Sequence, residues 1–124
     1  MKKILSLVAV ATFSITVSAY AADEVKPITK IMQARLGWIQ SITKNIAYSN
    51  FEAVSKDAAD LAAQTKKVGE AATAAFGKEK NLAVSALATY MGEAANKKDG
   101  VAAAAKLGET LGTCFSCHTK LRDK

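Results

Sequence analysis

Beyond an apolar stretch at the N-terminus, hydrophobic residues return every three or four positions in four successive runs separated by short polar breaks. That period matches one face of an α-helix, and it nowhere becomes the alternation of a strand. The first run extends from Pro27 to Tyr48, with Ile28, Met32, Leu36, Ile39, Ile42 and Ile46 along one side. Proline fits the first turn, where its missing N–H is not needed. Ser49-Asn50-Phe51-Glu52 has the form of a capping box opening a second helix. Along that helix Phe51, Val54, Ala58, Leu61, Thr65, Val68 and Ala72 alternate steps of three and four, a pattern that calls for a long neighbouring helix. Gly77-Lys78-Glu79-Lys80 predicts the next break, and Asn81 a cap for a third helix that turns Leu82, Ala83, Ala86, Leu87, Tyr90, Met91 and Ala94 inward. Asn96-Lys97-Lys98-Asp99-Gly100 predicts the last break, with Asp99 capping a fourth helix. Its apolar row is Val101, Ala104, Leu107, Leu111, Cys114, His118 and Leu121. Four amphipathic helices with short links predict an all-α fold, an antiparallel up-down-up-down four-helix bundle.

Composition sharpens this picture. The single proline, only 7 glycines among 124 residues, and abundant alanine suit closely packed helices. Residues 1–21 are predicted to be a secretory signal peptide: Lys2 and Lys3 lead, Ile4 to Val17 is apolar, and Ala19-Tyr20-Ala21 offers an A-x-A cleavage site. The apolar run is shorter than the ~20 residues of a membrane span, so cleavage is expected over anchoring, with no span left afterwards. Residues 22–124 then form one small domain, and the expected compartment is the bacterial periplasm.

Cys114-Phe115-Ser116-Cys117-His118 holds both cysteines and the one histidine of the chain. C-x-x-C-H is the attachment signature of a c-type haem, in which two thiols bond the macrocycle's vinyl groups and the imidazole ligates the iron. On a helix these three side chains stand at i, i+3 and i+4 and leave from one face. A structural zinc site needs four ligands, and the chain has three Cys and His side chains in all. A thioredoxin-like dithiol belongs to a βαβ pattern that is missing here, and a plain disulfide remains the lesser alternative in an exported protein. Cys114 and His118 lie on the apolar row of the fourth helix, so one covalently held haem c is expected inside the bundle. It would supply a sizeable share of a modest core, and the chain without it is expected to fold poorly.

The formal net charge is +6, with lysines gathered in breaks and on polar faces. No aromatic residues interleave with them on one surface, which argues against nucleic-acid binding. Solvated helix faces are the plainer reading, and steering of an acidic redox partner is the alternative. With the only histidine assigned to iron, no acid/base or nucleophile set remains, so an enzyme is not expected. A helical module in which C-x-x-C-H is incidental is the reading without a cofactor.

A four-helix chain with C-x-x-C-H in the last turns of its final helix resembles the class II c-type cytochromes, the cytochrome c′ family. The resemblance extends to Arg122, four residues after His118, where family members often carry a basic residue. It also extends to Met32-Gln33-Ala34-Arg35-Leu36, which stands in place of the family's R-Q-x-x-(M/L/F), with Lys44 and Ile46 at the expected offsets. It implies a monohaem electron carrier serving redox partner proteins, with Leu36 over the distal side of the iron. Leucine cannot ligate, so the iron would be five-coordinate and open to NO or CO. A one-turn shift would instead bring the Met32 thioether to the iron as sixth ligand and close it. Met32 also replaces the arginine that approaches a haem propionate in the family, and Arg35 is the nearby basic residue. The resemblance further implies a propionate contact for Gln33, tuning of the His118 ring by Arg122, and Trp38 as a homodimer contact, since related proteins often pair through their first helices. Each has a plainer counterpart: core filling for Met32, a solvated glutamine, a charge favourable at a helix C-terminus, and an edge-of-core tryptophan.

Overall fold

The computed structural model describes residues 26–122; the signal-peptide and cleavage expectations lie outside them. Four helices account for nearly all of that span: α1 (Pro27–Ala47), α2 (Phe51–Ala71), α3 (Ala75–Asn96) and α4 (Gly100–Arg122). Links of three residues make each helix double back along its predecessor. The contacts agree: the Cα hydrogens of Gly92 face Ser55 and Ala58, those of Gly69 face Leu82, and Gly100 lies against Phe51. No described helix is long and apolar enough to cross a membrane.

Two of the three links share one design. At the end of α1, Ser49 adopts φ 56°, its N–H bonds the Ile46 carbonyl at 3.0 Å, and the Asn50 N–H reaches the Asn45 carbonyl at 2.9 Å. At the end of α3, Lys98 adopts φ 58° and the same pair of bonds forms, Lys98 to Ala95 at 2.8 Å and Asp99 to Ala94 at 2.9 Å. Both are Schellman closures with a non-glycine residue in the left-handed position. In each, the following residue caps the next helix: Asn50 accepts from the Ala53 N–H at 3.4 Å and Asp99 from the Ala102 N–H at 2.9 Å. The expected capping box is thereby corrected. Ser49 closes α1, Asn50 opens α2, and Glu52 does not bond back.

The third link also differs from expectation. It is Ala72-Thr73-Ala74, and Gly77 to Lys80 lie within α3. Asn81 is likewise an interior residue of α3, not its cap. The face of α3 is turned by about one position from the expected one, with Val84, Ala88, Met91, Gly92 and Ala95 buried and Tyr90 57% exposed. Small residues decide this. Gly69 of α2, where an added carbon would meet Leu82 at 3.0 Å, and the small Ala88 and Gly92 of α3 line the seam between these helices, whereas Tyr90 would hold them apart.

The bundle divides along its length. Ile42, Val54, Ala58, Leu61, Val84, Ala88, Met91, Ala95, Ala103 and Leu107 make one core, most of it in the half that contains the two Schellman links. Trp38 is half-buried against this core, which places it at the core's edge. In the other half the expected rows of α1 and α4 do not close on each other: Ile28, Leu36, Leu111 and Leu121 are 46–60% exposed. Val101 and Ala104 also lie outside the core, and Ala103 and Thr110 are buried in their stead. Phe115, inside the C-x-x-C-H stretch, is 71% exposed.

Candidate functional site

The exposed apolar residues of the second half surround one cavity of about 490 Å³, between α1 and α4 with α3 at its back. That volume falls in the range of roughly 300–1,000 Å³ usual for cofactor pockets. α4 contributes Leu111, Thr113, Cys114, Cys117, His118 and Leu121. Their spacing explains why: steps of three and four keep the two thiols and the imidazole on the helix face that fronts the gap. From the opposite wall α1 contributes Met32, Gln33, Arg35 and Leu36, with Ile28 and Ile39 beside them. Val84 and Asn81 of α3 form the back.

Residues far apart in sequence therefore meet here. Cys114, Cys117, His118, Met32, Gln33 and Leu36 all line the same space. Met32 and Leu36 lie one turn apart on the wall facing His118; Met32 is half-buried and Leu36 56% exposed. Gln33 is exposed at the rim. Arg122 is the last residue of α4, and its side chain lies outside the described residues.

Arg35 carries more of the site than helical periodicity suggests. It is only 9% exposed, although it lies about 300° round α1 from Met32. Its Nε donates to Gln64 Oε1 of α2 at 2.8 Å, and its Nη2 donates to Asn81 Oδ1 of α3 at 2.7 Å. Asn81 is itself fixed by donating from Nδ2 to the Gly77 carbonyl at 2.7 Å. Three helices thus hold one guanidinium at the cavity wall, and both acceptors are neutral amides that orient the charge without cancelling it. The signal for it in the sequence is that Arg35 is the one charged residue between Lys30 and Lys44.

The electrostatics follow from this placement. Burial lowers the Arg35 pKa from its ordinary value, opposed by the thiols of Cys114 and then Cys117. Guanidinium stays charged in either case. Burial pushes the Cys114 thiol up, Arg35 pulls it back, and Cys117 adds to the rise. Both cysteines are half-buried free thiols. Beyond the cavity's end, Lys120 Nζ lies 4.2 Å from the centre of the Phe76 ring, which fastens the last turn of α4 to the first turn of α3, and Lys80 Nζ of α3 itself lies 5.5 Å from the same ring.

The residues fit a flat, largely apolar cofactor better than a bare ion. Among the described residues no group of three or more His, Cys, Asp or Glu side chains is placed to hold a metal ion. The cavity offers two thiols for covalent attachment, one imidazole, aliphatic walls, and a buried cation suited to a carboxylate. A second hollow of about 500 Å³, bounded by Ile31, Gln64, Lys67, Val68, Ala71 and Ala72, has neither thiol nor imidazole. No protein-family profile, no curated protein and no solved structure matches this chain.

Proposed function

We propose that this protein is a periplasmic monohaem c-type cytochrome that carries electrons, as its resemblance to the cytochrome c′ family implies. The observation that carries this reading is the convergence of Cys114, Cys117 and His118 on one apolar cavity that Met32, Leu36 and Arg35 line from the facing helix. In this reading Cys114 and Cys117 would hold haem c through thioether bonds and His118 would ligate its iron. The haem supplies reversible one-electron chemistry at iron.

The chain's own residues set the conditions for that chemistry. Ile28, Leu36, Ile39, Leu111 and Leu121 line the cavity and would shield a haem there from water, which would favour the less charged oxidation state. Arg35, held by Gln64 and Asn81, offers a fixed positive charge for a propionate, in the role the family assigns to a residue at the position of Met32. Gln33 at the rim is placed for a second polar contact.

The facing wall distinguishes two modes. With Met32 as sixth ligand the protein is a dedicated electron carrier. With Leu36 over the iron, the sixth position stays open and NO or CO binding becomes part of the function; the large exposed fraction of Leu36 within the cavity is the observation that favours this second reading.

The deciding experiment is expression with the haem-attachment machinery, haem staining of a denaturing gel, and optical spectra of both oxidation states before and after CO. Covalent haem is the expected outcome, and its absence overturns the proposal. A low-spin spectrum with a methionine-to-iron charge-transfer band, lost in Met32→Leu, selects the first mode. A high-spin spectrum that shifts with CO selects the second.

A further inference from the structure

Charge is sorted along the bundle. Residues 26–37, 61–85 and 111–122, the half that holds most of the cavity, include nine basic and two acidic residues. The other described residues include five basic and six acidic. Both acids of the cavity half already lie beside lysines of that half, Glu70 at 3.9 Å from Lys66 and Glu79 at 3.0 Å from Lys80. A haem's two propionates would offset little more than Arg35 and one further cation. Lys26, Lys30, Lys66, Lys67, Lys78 and Lys120 are exposed, and they come from all four helices, so the excess belongs to one end of the molecule and not to one helix face.

We infer that this end of the bundle is a docking face for an acidic protein surface. The inference rests on the electron-carrier reading, which requires a protein donor and acceptor and so selects a protein over a lipid surface. Like charges gathered at one end raise the rate of productive encounter by orienting the partner toward the cavity, while the near-neutral far end repels nothing and attracts nothing. The surplus is also expensive to keep unless it is used, because mutual repulsion opposes the compact state.

The test compares two double variants with the same change in net charge: Lys30→Glu/Lys78→Glu at the cavity end and Lys44→Glu/Lys56→Glu at the far end. The probe is a small acidic flavodoxin mixed with the haem-loaded protein. Electron-transfer rate is followed by stopped flow at low and high salt, and binding by amide shifts in ¹⁵N-labelled protein. The expected result is about a tenfold slower second-order rate at low salt for the cavity-end pair, less than about twofold for the far-end pair, and convergence at high salt. Amide shifts should gather at residues 26–37, 66–80 and 114–122. Equal effects of the two pairs, a rate indifferent to salt, or shifts spread over both halves overturn the inference. So does cosedimentation with phosphatidylserine vesicles that the cavity-end pair abolishes while flavodoxin binding is unchanged, since the surface would then be for lipid. If the purified protein carries no haem, the cytochrome reading fails on that ground alone, and the amide shifts still decide the docking face.

Discussion

Leu61 and Leu111 place the same side chain in opposite surroundings, and truncating each should give very different results. Leu61 is 0% exposed within the packed core, whereas Leu111 is 46% exposed on the cavity wall. Leu61→Ala loses the full transfer free energy of its removed carbons and leaves a hole within the packed core, a combination that costs about 3–5 kcal/mol. Leu111→Ala in the haem-free chain removes a side chain that borders open space, so only part of the transfer term is lost, about 0.5–1 kcal/mol. Urea unfolding followed by far-ultraviolet circular dichroism checks this. With a slope of roughly 1–1.5 kcal/mol per molar for a domain of this size, the midpoint should fall by about 2–5 M for Leu61→Ala and by no more than about 1 M for Leu111→Ala. In the haem-loaded protein the Leu111→Ala cost should rise to about 2 kcal/mol, because an apolar group then covers that wall. The division of the bundle is refuted if Leu111→Ala in the haem-free chain costs as much as Leu61→Ala, or if Leu61→Ala costs under about 1 kcal/mol.

Other outcomes follow from single positions. Lys98→Gly relieves a left-handed residue at a Schellman closure and should stabilise the protein by about 0.5–1 kcal/mol in thermal unfolding, with Ser49→Gly giving a similar gain. Gly108→Ala meets no atom within 4 Å of the added carbon and should gain about 0.8–1 kcal/mol from helix propensity, again read from thermal unfolding. Burial raises the Cys114 pKa, so in the reduced, haem-free chain its alkylation by iodoacetamide should lag behind a free thiol at about pH 8, and Arg35→Gln should slow it further. Because the folded value lies above the unfolded one, the stabilising difference is complete below the ordinary thiol pKa of about 8.5 and is lost as pH rises through the folded value. Haem-free stability should therefore fall across that alkaline window, and the fall should shrink in Cys114→Ser.

Where the chain carries chemistry that acts locally, the fold and the site are legible in the sequence. Pro27 and Asp99 mark helix starts through φ restriction and side-chain capping, and both stand where expected. The C-x-x-C-H spacing is likewise a local matter, since three side chains on one helix need no tertiary contact to share a face. The α2–α3 link misleads because Ala72-Thr73-Ala74 has no turn chemistry, while Gly77 resembles a breaker yet is tolerated inside a helix at a cost of about 1 kcal/mol. The facing of α3 is ambiguous because Leu82, Ala83, Val84, Ala86, Leu87 and Ala88 surround the helix with apolar groups, and close approach to α2 at Gly69 makes the choice. Arg35 joins Gln64 and Asn81, 29 and 46 residues away, and no local pattern specifies that meeting.

The two Schellman links lie at the same end of the molecule, and they act as pivots. Each ties consecutive helices together with backbone bonds and a cap, so α1 and α4 are levers about 30–35 Å long whose far ends border the cavity. α2 and α3, which pack most closely, form the fixed frame between them. A swing of about 5° at a pivot would move the far end of such a lever by roughly 2.5–3 Å, and for α1 it would strain the Arg35 bonds to Gln64 and Asn81. The gap between the levers is thus bounded by the Arg35 bonds that tie α1 to Gln64 and Asn81 and by the Lys120–Phe76 clasp that ties the tip of α4 to α3. The width of the cavity and the packing of the core therefore depend on largely different residues.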